Sequence, residues 1–471
     1  MSAEWDVVVI GGGMAGYTAA LRASELGARV ALVEKGNLGG TCLNRGCIPA
    51  KAWLGTVGLL RKLRDARSMG LRVAACELDH AAAAERVRTV VAQLSAGMRN
   101  ALEAAGVSLV RGQARLVRAG GRAPAVRVEG ADRGVLNGRA VILATGSLPA
   151  LPSVPGLEGA GVTTADASLD VGTATGMSWE RVPDRLAIVG GGVIGVELAT
   201  LYAGLGSHVT VCEIADHLVP GVDREIGEIL RGALEREGVR VFTQVRLQRV
   251  TSGAGACRLE METPGGEQVL EAERVLVATG RRPHLEGLGL EELGLRGRDG
   301  WVAVDDFMAT SVPGVFAAGD ITGKMMLAHV AARQGAVAAE NALGQKTPMD
   351  YRAVPACMYT QPEVAWVGMS AQEARERGYR VLVGRASFGR NAFALASGEW
   401  EGWVEVVCEG RYGEILGVCI VGPSATELIS EAAALIQAEC TMWEWEKAIH
   451  PHPTLSETLG EAVSAALRSR A

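Results

Sequence analysis

No stretch of this 471-residue chain approaches the about eighteen uninterrupted apolar residues that a membrane-spanning helix needs. Nor does a basic n-region or a cleavage site precede the first apolar run, Asp6-Val7-Val8-Val9-Ile10. An unexported, cytoplasmic protein is therefore expected. No cluster of lysine and arginine stands against the formal net charge of −6, which excludes nucleic acid as an expected partner. The nine cysteines are an odd number without a framework. That suits a reducing compartment and one working pair rather than a stapled fold. One ordinary core cannot hold a chain this long, and about three domains are expected.

What is present begins with Val7-Val8-Val9-Ile10-Gly11-Gly12-Gly13-Met14-Ala15-Gly16, a helical run, and Arg29-Val30-Ala31-Leu32-Val33-Glu34. This is strand, G-x-G-x-x-G, helix and strand, with an acid at the second strand's end. Gly11, Gly13 and Gly16 let the backbone approach a pyrophosphate at the helix N-terminus, where free N–H groups favour negative charge. Glu34 is placed to bond a ribose 2′-hydroxyl. The pattern repeats at Leu186-Ala187-Ile188-Val189-Gly190-Gly191-Gly192-Val193-Ile194-Gly195, which leads to Val209-Thr210-Val211-Cys212-Glu213. Gly16 to Glu34 and Gly195 to Glu213 span the same distance. Two dinucleotide folds imply two dinucleotides, and a flavin beside a nicotinamide lets hydride pass between them. Glu213 favours NAD, because it would repel a 2′-phosphate.

Between the two fingerprints lies Gly39-Gly40-Thr41-Cys42-Leu43-Asn44-Arg45-Gly46-Cys47-Ile48-Pro49-Ala50-Lys51. Taken alone, a C-x4-C spacing fits two neighbouring buried cysteines as readily as a bonded pair. Five residues of regular helix turn about 140° and separate Cα atoms beyond the roughly 7 Å a disulfide spans. If Cys42 and Cys47 pair, the backbone between them is distorted, and Gly46 is the residue that permits it.

This stretch is similar to the GGTCxNxGCxPxK signature of the flavoprotein disulfide reductases, and reads closest to the dihydrolipoamide dehydrogenase branch. The resemblance implies a redox disulfide between Cys42 and Cys47, with Cys42 facing substrate and Cys47 under the flavin of an FAD. Lys51 then places a cation near the flavin, and Glu197 is its carboxylate partner. Thr310 to Asp320 resembles the family's returning FAD strand, whose Asp320 bonds the ribityl chain. Leu327 to Ala332 resembles the helix beside the flavin, with Val330 where this branch often has lysine, and His329 is expected to pack rather than catalyse. The resemblance also sets Lys35, Gly40, Thr41, Ala114, Thr145, Gly146 and Ala328 around FAD. It sets Val193, Ile194, Val245, Ala278, Thr279, Gly280 and Arg281 around NAD.

Near the C-terminus, His450-Pro451-His452-Pro453-Thr454-Leu455-Ser456-Glu457 matches the family's H-P-T-x-x-E. It implies His452 as acid/base and Glu457 as the group that orients it, supplied to the neighbouring subunit of a homodimer. A cis His452–Pro453 peptide is expected to turn the imidazole toward the disulfide.

The fold expected is α/β, with two Rossmann-like dinucleotide-binding domains (three-layer ββα) and a C-terminal α+β interface domain. Residues 1–150 form the first part of the FAD-binding domain and residues 151–280 the NAD-binding domain. Residues 281–350 return to the FAD-binding and central domain, and residues 351–471 form the interface. Residues 52 to 106 read as a helical pair, and the stretch from Ala165 to Arg181 carries no assignment. The function implied is oxidation of protein-bound dihydrolipoyl groups, with NAD as acceptor and lipoyl-bearing carriers or 2-oxo acid dehydrogenase components as partners. Glutathione-type reductases are the rival reading, yet they carry a gating tyrosine where Val193 stands. Mercuric reductases need a C-terminal cysteine pair, which Leu459 to Ala471 lacks. A non-catalytic scaffold has no use for Cys42, Cys47, His452 and Glu457 together. No metal site is expected.

Overall fold

The computed structural model describes residues 4–469, apart from residues 75, 119–123, 172–180, 254, 296 and 298. Its first sheet runs in the order Val315–Ala317, Gly138–Leu143, Trp5–Ile10, Val30–Glu34 and Ser108–Arg111, all parallel. Continuous apolar runs such as Val7 to Ile10 are buried throughout, as strands covered on both faces require. Helices Met14–Glu25 and Ala328–Ala342 cover one face. They pack backbone against backbone, for a Cβ on Gly335 would stand 2.1 Å from the Ala15 carbonyl oxygen. The other face is closed by an antiparallel sheet of Gln113–Val117, Ala125–Glu129 and Gly134–Leu136. The strand Val315–Ala317, more than 170 residues downstream of Leu143, thus completes the sheet that Trp5 begins.

The second sheet repeats this plan with Arg240–Phe242, His208–Cys212, Arg185–Val189, Arg274–Val277 and Val162–Thr164. Helices Val193–Gly204 and Arg224–Arg236 lie on one side. The antiparallel strands Arg246–Gly253, Ala256–Thr263 and Gly266–Ala272 lie on the other. The chain leaves the first fold along Ser147–Pro149 and re-enters it along Arg281–Pro283. These two crossings pair with each other as an antiparallel ribbon.

A third, antiparallel sheet has the order Ala356–Met358, Glu363–Gly368, Ile415–Gly422, Trp403–Glu409 and Val381–Ser387. Helices Ala425–Gln437 and Glu457–Arg468 pack on it around buried Ile429, Leu459 and Val463. The fold is therefore the α/β arrangement of two dinucleotide-binding folds and an α+β C-terminal unit. Residues 52 to 106 hold a pair of helices, as their pattern suggests. Cys47–Arg64 continues as a 3-10 turn, Asp65–Met69, and Asp79 then caps the helix His80–Ala104 by accepting from the Ala82 N–H. Among the described residues, no helix is long and apolar enough to cross a membrane.

Candidate active site

Gly46 divides the segment around the two cysteines. Helix Gly40–Arg45 stops there, and helix Cys47–Arg64 starts immediately after it. A Cβ on Gly46 would stand 3.1 Å from the Thr41 carbonyl oxygen, so the break is tight as well as sharp. The first short helix is anchored by buried Asn44, whose amide donates to the carbonyls of Leu38 and Gly40, both at 2.9 Å. Cys42 and Cys47 are free thiols, hydrogen-bonded to each other. The bond divides their acidities. Cys47 is pulled down to about 7, first by the hydrogen bond from Cys42 and then, against burial, by the Lys51 ammonium. Cys42 is pushed far up by that same bond, by burial and by the charge on Cys47.

Lys51 follows Cys47 by one helical turn and shares its face. Its ammonium donates to Glu197 Oε2 at 2.8 Å, reaching across to helix Val193–Gly204. The helices approach closely further along, where a Cβ on Gly204 would stand 2.2 Å from Val57 Cγ1. Tyr359 completes the pair on both sides. Its backbone N–H donates to Glu197 Oε1 at 2.8 Å, and its ring lies under Lys51 Nζ at 4.2 Å. Nothing in the local pattern around residue 359 marks it, because its role comes from a third sheet folding against the first two elements.

The glycine loops of the two folds correspond atom for atom in their constraints. Gly11 has φ +102°, and a Cβ there would stand 2.4 Å from the Ala144 carbonyl oxygen; at Gly190 the values are +106° and 2.5 Å from that of Ala278. A Cβ on Gly16 or Gly195 would stand 1.8 or 1.9 Å from the carbonyl oxygen of Gly11 or Gly190. Side chains are thus excluded where each helix N-terminus needs a bare backbone. Glu34 accepts from Gly12 and Gly36 N–H groups, both at 2.6 Å, and Glu213 from Gly191 at 2.5 Å and Ala215 at 2.7 Å. Each carboxylate retains lone pairs for a ribose hydroxyl. These cradles fit FAD in the first fold and NAD in the second.

The remaining expected residues fall around these loops. Lys35 Nζ lies 3.1 Å from His284 Nε2, and Thr145 donates to the His284 carbonyl at 2.8 Å. Gly146 has φ +72° beside them, Ala114 is buried behind the first sheet, and Ala328 opens its helix. Gly40 presses on Gly13, its Cβ position 2.9 Å from the Gly13 Cα, and Thr41 follows in the same helix. Asp320 accepts from Ser147 Oγ at 2.5 Å. Buried Gln334 holds the preceding turn by accepting from Gly319 N–H at 2.7 Å. In the second fold Val193 and half-exposed Ile194 begin the helix, and Val245 N–H donates to the Glu213 carbonyl at 2.9 Å. Thr279 Oγ1 donates to the Ala150 carbonyl at 2.8 Å, and the Gly280 carbonyl accepts from Ala150 N–H. Arg281 bonds Asp166 and Ser147. His329, expected to pack, is instead exposed, its Nε2 donating to the Pro355 carbonyl at 2.8 Å.

His452 stands apart. Its Nδ1 is 2.8 Å from Glu457 Oε1, while Glu457 Oε2 accepts from Thr454 N–H at 2.9 Å. That backbone bond, and then the imidazole, hold the Glu457 carboxyl below its usual range. The His452–Pro453 peptide is cis. Three-quarters of the His452 side chain is exposed (74%). Among the described residues no hydrogen bond joins it to Cys42 or Cys47. Among the described residues, no group of three or more His, Cys, Asp or Glu side chains is placed to hold a metal ion.

Residues 5–335 match the family described as pyridine nucleotide-disulphide oxidoreductase, and residues 354–463 match its dimerisation domain. The chain is 40% identical to a dihydrolipoyl dehydrogenase of Thermus scotoductus, over 98% of this chain and 97% of that one. It is 37% identical to one of Bacillus subtilis, over 99% and 98%. Among solved structures, LpdA of Mycobacterium tuberculosis superposes with a TM-score of 0.89 at 30% identity, over 97% of this chain and 99% of that one. The HOCl-induced flavoprotein disulfide reductase RclA of Escherichia coli, solved as a Cu(II) complex, gives 0.83 at 26%, over 98% and 99%.

Proposed function

This chain belongs to the pyridine nucleotide-disulphide oxidoreductase family, and from that premise we propose that it is a dihydrolipoyl dehydrogenase. The reaction passes two electrons from a dihydrolipoyl dithiol to NAD⁺, giving the lipoyl disulfide, NADH and one proton. The observation that carries this reading is the division of labour between the thiols. Cys47 is the acidic one beside a lysine that Glu197 and Tyr359 hold in place.

His452 begins the sequence by taking a proton from one substrate thiol at Nε2. Its Nδ1–H donates to Glu457, which fixes the tautomer and stabilises the imidazolium. The substrate thiolate attacks Cys42 Sγ of the oxidised pair, the Cys42–Cys47 bond breaks, and Cys47 departs as a thiolate. Lys51 carries the opposing charge. The second substrate sulfur then attacks the substrate sulfur bound to Cys42, closing the lipoyl disulfide; His452 returns its proton to the departing Cys42 and takes up the proton that the second thiol loses. FAD, which the first glycine loop, Glu34 and Asp320 would hold, would supply the two-electron relay between this dithiol and NAD⁺ that restores the enzyme disulfide.

The exposure of His452 supports a shared site in a homodimer. In such a dimer, His452 and Glu457 of one chain meet Cys42 and Cys47 of the other across an isologous interface. A lipoyl-bearing carrier protein, such as a component of a 2-oxo acid dehydrogenase complex, is the partner this assigns. Nine cysteines without a structural disulfide framework fit work in a reducing cytoplasm. A turnover assay of dihydrolipoamide, glutathione disulfide and other small disulfides with both nicotinamides tests the reading. Dihydrolipoamide with NAD⁺ is expected to be fastest, and faster glutathione disulfide reduction by NADPH would overturn it.

A further inference from the structure

The start of the stretch without a sequence assignment lies at the junction of the two nucleotide folds. Strand Val162–Thr164 is the edge of the second sheet, and Thr164 caps the short helix Ala165–Leu169 by accepting from Ala167 N–H. Asp166 on that helix is buried. It receives the Arg281 guanidinium end-on, Nη1 to Oδ1 at 2.7 Å and Nη2 to Oδ2 at 3.0 Å. Arg281 also donates from Nε to Ser147 Oγ at 2.6 Å and from Nη2 to the Ser147 carbonyl at 3.0 Å. Ser147 Oγ in turn donates to Asp320, at the end of the returning segment, which itself stands 3.9 Å from Arg281 Nε. Ser147 and Arg281 are the outbound and inbound crossings of the chain. Arg281 thus clasps both crossings to the second fold through Asp166 and to the first through Ser147 and Asp320.

The same segment reaches the redox helix. Val171 N–H donates to the Asn44 carbonyl at 3.2 Å, and Arg45 Nη1 stands 3.9 Å from Asp170 Oδ2. Two strands of three residues each make a weak joint unaided, since an isolated two-stranded ribbon is marginal in water. The buried, bidentate Asp166–Arg281 pair supplies the directionality that the ribbon lacks. Hydride transfer between ligands held on different folds is sensitive to small misalignment. Thiol exchange at Cys42 is not, because Gly12, Leu38 and Gly40 of the first fold hold its helix.

We propose that Asp166, acting through Arg281, is a positioning residue that locks the second nucleotide fold against the redox helix. The nicotinamide half-reaction depends on this lock, and the thiol half-reaction does not. The half-reaction test rests on the dihydrolipoyl dehydrogenase reading; the exchange test does not, so the two can fail separately.

Dimeric holoenzyme carrying Asp166→Asn, Asp166→Ala or Asp166→Glu should be compared with wild type in three measurements. These are anaerobic reduction by dihydrolipoamide, reoxidation of the reduced enzyme by NAD⁺, and backbone hydrogen exchange over residues 147–150 and 280–283. In Asp166→Asn, reoxidation is expected to slow about tenfold while reduction stays within about twofold. Exchange at Ala150 N–H should rise about tenfold, and Asp166→Glu should recover part of each loss. Should Asp166→Ala fail to fold, the isosteric Asp166→Asn and the Asp166→Glu rescue decide. Parallel loss in both half-reactions, or unchanged exchange across the ribbon, would overturn the lock. Wild type that dihydrolipoamide cannot reduce would sink the proposed function, and the exchange measurement would still judge the lock.

Discussion

Leu38 and Leu218 close the two glycine loops in the same way, each with a methyl against the second glycine, Gly12 or Gly191. The next residue in each copy donates its N–H back to that glycine's carbonyl, Gly39 at 2.8 Å and Val219 at 2.9 Å. Both adopt positive φ, +98° at Gly39 and +51° at Val219, which glycine does freely and a β-branched residue does under strain. There the copies part. The first chain goes straight from Gly39 into the helix bearing Cys42, which lies on the loop so closely that Gly40 meets Gly13. In the second copy Gly192 has open space around it, and Ile194 is exposed. One plan thus yields a covered loop suited to a resident cofactor and an open one suited to a nucleotide that comes and goes. Placing the dithiol over the covered loop puts it beside the cofactor that stays.

The largest effects should come from the feature that only the first copy has. Cys42→Ser or Cys47→Ser is expected to lower turnover by at least about a thousandfold. Two-electron reduction should give a long-wavelength absorption band in wild type; Cys42→Ser should show that band without substrate, and Cys47→Ser should lack it. A band that survives Cys47→Ser reverses the two roles. His452→Ala should cost about 10² to 10⁴ in kcat as a lost acid/base. Mixing His452→Ala with Cys42→Ser subunits should restore about a quarter of full activity after reassortment, because half the dimers are mixed and each keeps one intact site. Mixtures that stay dead although subunit exchange is verified would place His452 and the thiols within one chain.

Smaller effects test the second copy. Glu213→Ala should narrow the preference for NAD over NADP by about 1.5–3 kcal/mol, the scale of a charge-assisted bond and the repulsion it replaces. Equal use of both nucleotides by wild type would mean that Glu213 does not face the ribose. The pH dependence returns to the first copy. With Cys47 pulled down to about 7, the thiolate fraction rises with pH, so the long-wavelength band should grow several-fold between about pH 6 and pH 8. Lys51→Met should move that midpoint upward, and a band flat across the range would contradict the assignment. Last comes the divergence point itself. A Cβ on Gly39 would lie 2.3 Å from Leu43 Cδ2, so Gly39→Ala should destabilise by about 1–3 kcal/mol. Val219→Gly relieves strain but gives up a buried side chain, and its unfolding midpoint should correspond to a change within about 1 kcal/mol. Equal costs at both positions would erase the distinction.

Much of this site was legible in the residues alone because its physics is local. Glycine spacing, the acid at a strand's end, a glycine between two cysteines and the spacing of His452 to Glu457 constrain backbone within a few residues. Lys51, one turn after Cys47, was legible only through the family resemblance. The helical reading of residues 52 to 106 blurred only at Asp65 to Asp79, where the chain turns between two helices that look alike in composition. Of the unassigned stretch, residues 165–171 show a helix and a clasp, while residues 172–180 lie outside the described residues.

By itself, then, the sequence determined the two nucleotide loops, since each depends on neighbours along the chain; the dithiol between them and the imidazole–carboxylate pair near the end were legible through the family resemblance. Only the tertiary structure decided what holds them. Tyr359 lies 162 residues from Glu197, and Asp166 lies 115 from Arg281; the resemblance implies the Lys51–Glu197 pair, 146 residues apart, but neither of these. Such pairs carry no periodicity and no local geometry of their own. They exist because three sheets close around the same few side chains, and a buried charge must find its partner wherever the packing places one.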